Sequence, residues 1–143
     1  MLLPDSDVIV RHVYSGDVAR LIAKLIGKSG AFGQSCNLCQ AEAPTLADLV
    51  GLLADIAGAP RRIEPVTREH LHRAAIPPEE ISPFSTPWMS LLDPGKACRD
   101  LDFRHEPLSS YLGHIVAAFF ARRVQDPPAS YAWRKAELEL LAG

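Results

Sequence analysis

No apolar run in the chain approaches the roughly 18 residues that a membrane-spanning helix needs, and acids at Asp5 and Asp7 stand where a secretory leader would be basic. A soluble cytoplasmic protein is therefore expected, with no membrane partner. Basic clusters are missing too: the formal net charge is -2, which gives no footprint for nucleic acid or anionic lipid. Cysteine is scarce and odd in number, at Cys36, Cys39 and Cys98. Cys36-x-x-Cys39 has redox or metal spacing, but one pair is half of a four-ligand zinc site, so buried or half-buried free thiols are expected. His70, His72, His105 and His114 lack the His-x-x-x-His spacing of a helical metal site, and His12 reads as a plain strand residue. A Gly-rich turn between a first strand and a first helix is also absent from Met1 to Asp17, which removes the usual dinucleotide cradle. Gly27, Gly30 and Gly33 follow a helix instead, and a helix stop and loop account for them.

What is present is a chain of single-domain length, 48% apolar, able to bury roughly two thirds of its unfolded surface. The stretch 11–57 reads as helix, strand, helix. Asp17 is placed to cap a helix over about 17–28, with Val18, Leu21, Ile22, Leu25 and Ile26 on one apolar face. The run 34–39, with Cys36 to Leu38 at its centre, reads as a strand. Thr45 then opens a helix to residue 57, carrying Leu46, Leu49, Val50, Leu53 and Ile56 up to the stop at Gly58 and Pro60. Before this unit, β-branched Val8, Ile9, Val10 and Val13 predict an opening strand. After it, 61–66 predicts another strand, Thr67 caps a short helix to Ala75, and Pro77-Pro78 starts a further turn.

The segment from Ser82 to Met89 holds two prolines and is irregular, its Phe84 and Trp88 either lining a substrate pocket or pinning a surface loop. Asp93-Pro94 starts a helix to about Leu101. Leu108, Leu112, Ile115, Val116, Phe119 and Phe120 define a longer amphipathic helix over about 108–124; Phe119 and Phe120 lie roughly 100° apart on it, so one is expected in the core. After Asp126-Pro127-Pro128 a last helix spans about 131–141.

Four motifs in this order carry a family resemblance. Arg11-His12-Val13-Tyr14-Ser15-Gly16-Asp17-Val18-Ala19 resembles the Arg-Phe-Ile/Val-His-Val-Asp-Asp-Val-Ala segment of the NAD-dependent epimerase/dehydratase family, the extended short-chain dehydrogenases/reductases. Asn37 resembles the asparagine of that family's next strand, and Thr45-Leu46-Ala47-Asp48-Leu49 its following helix start. Leu92-Asp93-Pro94-Gly95-Lys96-Ala97-Cys98-Arg99-Asp100-Leu101-Asp102-Phe103 is similar to its Leu-Asp-x-x-Lys-Ala-x-x-x-Leu-Gly-Phe/Trp segment. The likeness covers about residues 8 to 121 and concerns the carboxyl-terminal half alone. Neither the Gly-rich turn nor the catalytic Tyr-x-x-x-Lys of the other half can be quoted; Tyr131 and Lys135 have the spacing, but in the wrong place.

The resemblance implies an α/β fold, a partial Rossmann-like carboxyl-terminal substrate-domain half with short strands and several helices. It divides the chain into a truncated epimerase/dehydratase-like domain at 1–126 and a helical tail at 127–143. The implied function is the substrate-side portion of an NAD(P)-dependent oxidoreductase, inactive alone and without a cofactor of its own, using NAD or NADP only when an amino-terminal Rossmann half completes it. A non-enzymatic small-molecule-binding or protein-interaction domain on the same scaffold is the alternative, and a hydrolase lacks a paired nucleophile and base. A homodimer, or the missing half, is the expected partner. Substrate contacts fall on Arg11, Tyr14, Phe84 and Trp88, with Arg11 equally readable as a surface arginine beside Asp7 or Asp17. Tyr14 and Gly16 depart from the family's histidine and first aspartate. Trp88 to Leu91 has no arginine for a diphosphate, which implies a less charged substrate. Lys96 is expected to lie along its helix with its ammonium in water.

Overall fold

In the computed structural model, residues 1–81, 91–122 and 132–142 are described. They form a mixed α/β arrangement of helices around a small sheet. The sheet has two short strands, β1 (Leu2–Pro4) and β2 (Glu64–Val66), paired in parallel with Leu2 opposite Glu64 and Pro4 opposite Val66. Parallel pairing requires a crossover, and α1 (Ser15–Leu25) and α2 (Leu46–Ile56) lie within it. Alternation along β1 separates two cores. Leu3 faces Val10, Leu46, Leu49, Tyr111 and Leu112, where α2 packs on α6 (Leu108–Ala121). Leu2 faces Leu71 of α3 (Arg68–Arg73) and Ile76, with α4 (Pro78–Ile81) close by. The tail helix α7 (Arg134–Ala142) sits on that second core through Ala136 and Leu140, with Trp133 just ahead of it. A third cluster joins Leu21 of α1 to Ala97 of α5 (Gly95–Asp100) and to Phe103.

Pro65 lies at the middle of β2 and has no N–H. Glu64 donates its N–H to the Met1 carbonyl at 2.9 Å, so alternation turns the Pro65 peptide to the outer edge, where it offers a carbonyl alone. The sheet cannot grow by regular pairing on that side.

The helix over 45–57 forms as expected: Thr45 accepts from the Asp48 N–H, and the Asp48 carboxylate accepts from the Thr45 N–H. Thr67 caps α3 in the expected way, and Asp93 Oδ1 takes the Gly95 N–H at 2.8 Å at the start of α5.

Other expectations need correction. The opening strand is residues 2–4, not 8–13; Ile9 makes only an isolated antiparallel bridge to Thr45. Residues 36–38 are not a strand. Their neighbour Gln40 donates its N–H to the His12 carbonyl at 3.1 Å, while the side chains of Cys36 and Leu38 pack beside Phe103. β-Branched residues at 8–13 favour extended backbone, and the run at 36–38 is short enough for a strand, but a ladder also needs a continuous partner. Asp17 is not the cap of α1, because the helix begins two residues earlier, with Tyr14 at the cap and no side-chain cap bond. Phe119 and Phe120 are both exposed, as are Ile22 and Ile26. No helix among the described residues is long and apolar enough to cross a membrane.

Candidate functional site

Arg11 lies where three motif-bearing segments meet. Its Nη1 donates to the Leu92 carbonyl at 2.8 Å and to the Gln40 carbonyl at 3.3 Å, and it lies 3.9 Å from Cys39 Sγ. The Cys39 thiol itself donates to the Leu92 carbonyl at 3.0 Å. Arg11 makes no ion pair to Asp7 or Asp17; its Nη1 clamps loop carbonyls instead. Its Nε–H is buried without a partner.

Beside this clamp lies a polar layer built from 12–17, from 40–42 and from the start of α6. Asp17, 1% exposed, pairs with Arg20 and accepts the Glu106 N–H at 3.1 Å, tying α1 to the segment before α6. Gln40 is fully buried; its Nε2 donates to the Glu106 carbonyl at 3.1 Å and its Oε1 has no partner. Glu42 Oε1 accepts the Leu108 N–H at 3.2 Å, a carboxylate on one of the free N–H groups that open α6. Glu42 Oε2 faces His105 Nδ1 at 3.5 Å. His105 Nε2 accepts the Ala41 N–H at 3.2 Å, which places the neutral ring's proton on Nδ1, toward the Glu106 carbonyl.

Tyr111 is the centre of the layer. Tyr14 stacks on it with centroids 5.3 Å apart, and His12 meets it edge-on at 5.6 Å. The Tyr111 hydroxyl and both His12 ring nitrogens are buried without hydrogen-bond partners. Burial, with Glu42 and then Asp17 adding negative charge, pushes the Tyr111 phenol well above its ordinary range. Burial also lowers the His12 imidazole from its usual value, against an opposing pull from Glu42. Both groups are therefore neutral at neutral pH. They can exchange hydrogen bonds but supply no charge.

The departures at Tyr14 and Gly16 turn out to be one arrangement. A Cβ at Gly16 would come within 2.5 Å of the Tyr14 ring, so the large ring and the missing side chain require each other. Tyr14 thus reaches the layer, but as a stacking partner of Tyr111. Phe84 and Trp88, with the whole 82–90 stretch, lie outside the described residues. Sequence reasoning missed His12, Gln40, Glu42 and Tyr111. One signal was available: Tyr111 lies between Leu108 and Leu112 in the buried first turns of α6, a polar tip in an apolar row.

The glycines after α1 form a loop, not a strand-to-helix turn. Gly27 and Gly33 adopt left-handed φ values of 76° and 69° in a loop after α1, with open space around them and no strand leading into a helix. These residues do not make a cradle for NAD or NADP. Among the described residues no group of three His, Cys, Asp or Glu is placed to hold a metal. Lys96 leaves its helix to meet Gln34 and Cys36 across the fold, rather than lying along α5 alone. Compared with protein-family models, curated proteins and solved structures, the chain has no significant match.

Proposed function

We propose that this chain is the carboxyl-terminal, substrate-side portion of an NAD(P)-dependent epimerase/dehydratase-like oxidoreductase, inactive alone and completed by an amino-terminal Rossmann half. The supporting observation is the convergence on Arg11. The residues that carry the resemblance are spread over 11–103, yet the arginine of the first motif bonds Gln40, just beyond Asn37, and Leu92, the first residue of the last motif. The segments that carry the resemblance thus share one neighbourhood, as a common site would require. In this reading the cofactor and the Tyr-x-x-x-Lys pair belong to the partner half, and this chain contributes the neutral polar layer of Tyr111, His12 and Gln40 beneath the substrate side. Described residues here bring no free cationic fork toward that layer, so the substrate is less charged than a nucleotide diphosphate.

The uncovered apolar side chains of α1 and α6 favour association, with that half or with a second copy. Either needs about 1,000 Å² or more of complementary surface. A non-enzymatic interaction domain would use the same faces. The neighbouring coding sequence discriminates: an upstream frame with a Gly-rich turn and Tyr-x-x-x-Lys supports the enzyme reading. The direct test is calorimetric titration with NAD and NADP. The chain alone should show no micromolar binding, and the chain co-expressed with the amino-terminal half should bind. Micromolar binding by the chain alone, or a stable monomer unchanged by the added half, would overturn the proposal.

A further inference from the structure

Cys36 and Lys96 are 60 residues apart in sequence, on the loop after α1 and on α5, and their side chains meet with Sγ and Nζ 3.5 Å apart. The contact is held from both sides. Lys96 Nζ also donates to Gln34 Oε1 at 3.0 Å and pairs with Asp100 at 3.2 Å, so the nitrogen is fixed beside the sulfur rather than sweeping through water. Cys36 is half-buried and the Lys96 side chain 41% exposed, which leaves the pair open to a small oxidant. Cys39 takes no part, because its thiol is buried and committed to the Leu92 carbonyl. The Cys-x-x-Cys spacing therefore resolves into two thiols with different partners, one structural and one beside an amine.

We propose that Cys36 and Lys96 are a redox-controlled bridging site, in which hydrogen peroxide drives formation of a covalent sulfur–nitrogen bond between them. In the first step the Cys36 sulfur attacks peroxide; the O–O bond breaks, an S–O bond forms, and sulfenic acid and one water result as sulfur gives up two electrons. In the second, the Lys96 amine attacks the electrophilic sulfur. The S–N bond forms as the S–O bond breaks, and hydroxide leaves as water with a proton from nitrogen. One thiol, one amine and one peroxide thus give one sulfenamide and two waters. The 3.5 Å separation is at the upper end of the roughly 3–3.5 Å that characterises reacting atoms already in position. Two equivalents of an external thiol reverse the step, restoring thiol and amine and leaving an external disulfide.

The amine must be neutral to attack. Asp100, and then Cys36, hold the ammonium proton more tightly than in a free lysine, so bridging is slow at neutral pH and accelerates as the solution is made alkaline. A bridge ties the loop after α1 to α5. It draws on no residue of the Tyr111 layer, so it stands or falls independently of the proposed function.

The test is peroxide treatment of the full chain at neutral and alkaline pH, followed by peptide mass mapping with and without dithiothreitol. Wild type and Cys98→Ser should both yield a peptide pair joined at 36 and 96, two hydrogens lighter than the separate peptides. Tryptic cleavage after Lys96 should be lost, the yield should be greater at alkaline pH, and dithiothreitol should release the pair. Lys96→Arg keeps a cation beside Asp100 and should abolish the link while Cys36 still oxidises; circular dichroism before treatment checks that it is folded. Oxidation of Cys36 to sulfinic or sulfonic acid with no linked pair, or a Cys36–Cys98 disulfide as the sole product in wild type, would overturn the proposal.

Discussion

The helices α1 and α2 have equal length, 11 residues each, and each carries an amphipathic stripe, yet the fold treats them differently. In α2, Leu46 and Leu49 are buried against Leu3 and α6, and a reciprocal capping box closes the amino end. In α1, Leu21 is the buried apolar residue, Ile22 and Ile26 are 59% and 77% exposed, and no side chain caps the start. A stripe in sequence states which face is apolar. It says nothing about what covers that face. The same division runs along α6, whose first turns bury Leu108, Tyr111 and Leu112 while Ile115, Phe119 and Phe120 remain exposed.

The largest expected effect lies in the covered helix. Leu49→Ala should cost about 2–5 kcal/mol, the range for truncating a buried leucine that leaves a cavity. Urea unfolding measures it as a shift in midpoint with little change in slope. A cost no larger than that of an exposed site would erase the contrast between the two helices.

Next comes the joint between α1 and the polar layer. Gly16→Ala puts a methyl into the space of the Tyr14 ring and should cost about 1–3 kcal/mol, as overpacking does. Tyr14→Ala in the same chain should recover most of that cost, so the double-mutant cycle is strongly non-additive. Additive costs would show that ring and glycine do not share the space.

These residues also mark what was legible in the sequence. Local signals transferred well: Thr45 and Thr67 cap their helices because a cap needs only neighbours a few residues away, while Asp93, expected as a cap, lies one residue before the cap position Pro94 and takes the Gly95 N–H. Non-local ones did not. Val8 to Val13 has the residues of a strand without a continuous partner, whereas Leu2-Leu3-Pro4 is too short to stand out and pairs with 64–66 across the whole crossover. Asp17 looked like a cap and is instead buried on Arg20 and the Glu106 N–H, a contact 89 residues away. The polar layer was hidden for the same reason. Gln40, Glu42 and His12 are unremarkable in sequence, and with Tyr111, the one member that stands out as a polar tip in an apolar row, they form a layer only because three segments place them together.

A smaller effect tests the cap that α2 has and α1 lacks. Thr45→Ala should cost about 1 kcal/mol. Hydrogen bonds from Thr45, first among the causes, hold the Asp48 carboxyl below its usual range. A carboxylate lowered in the folded state contributes stability above the unfolded value and loses it as pH falls through the folded one. The wild type should thus lose this contribution on acidification, and Thr45→Ala should show a flatter acid limb in the same unfolding series. An unchanged limb would mean that the Thr45–Asp48 box does not hold the charged form.

The smallest effect on stability is expected where the apolar stripe is largest to the eye. Ile22→Asp with Ile26→Asp replaces two side chains that touch little, so unfolding in urea should change by within about 0.5 kcal/mol. An exposed isoleucine contributes almost nothing to a fold that does not cover it, and an aspartate there meets water. The consequence should appear only in association. Light scattering across a concentration series should show the wild type gaining mass and the double variant remaining a monomer, since charge on an apolar face opposes its burial in any partner. Loss of stability in the variant would mean that α1 is covered within the chain itself. Equal association of both proteins would move the contact to the other uncovered surface, the end of α6 at Phe119 and Phe120, and leave α1 with no part in assembly.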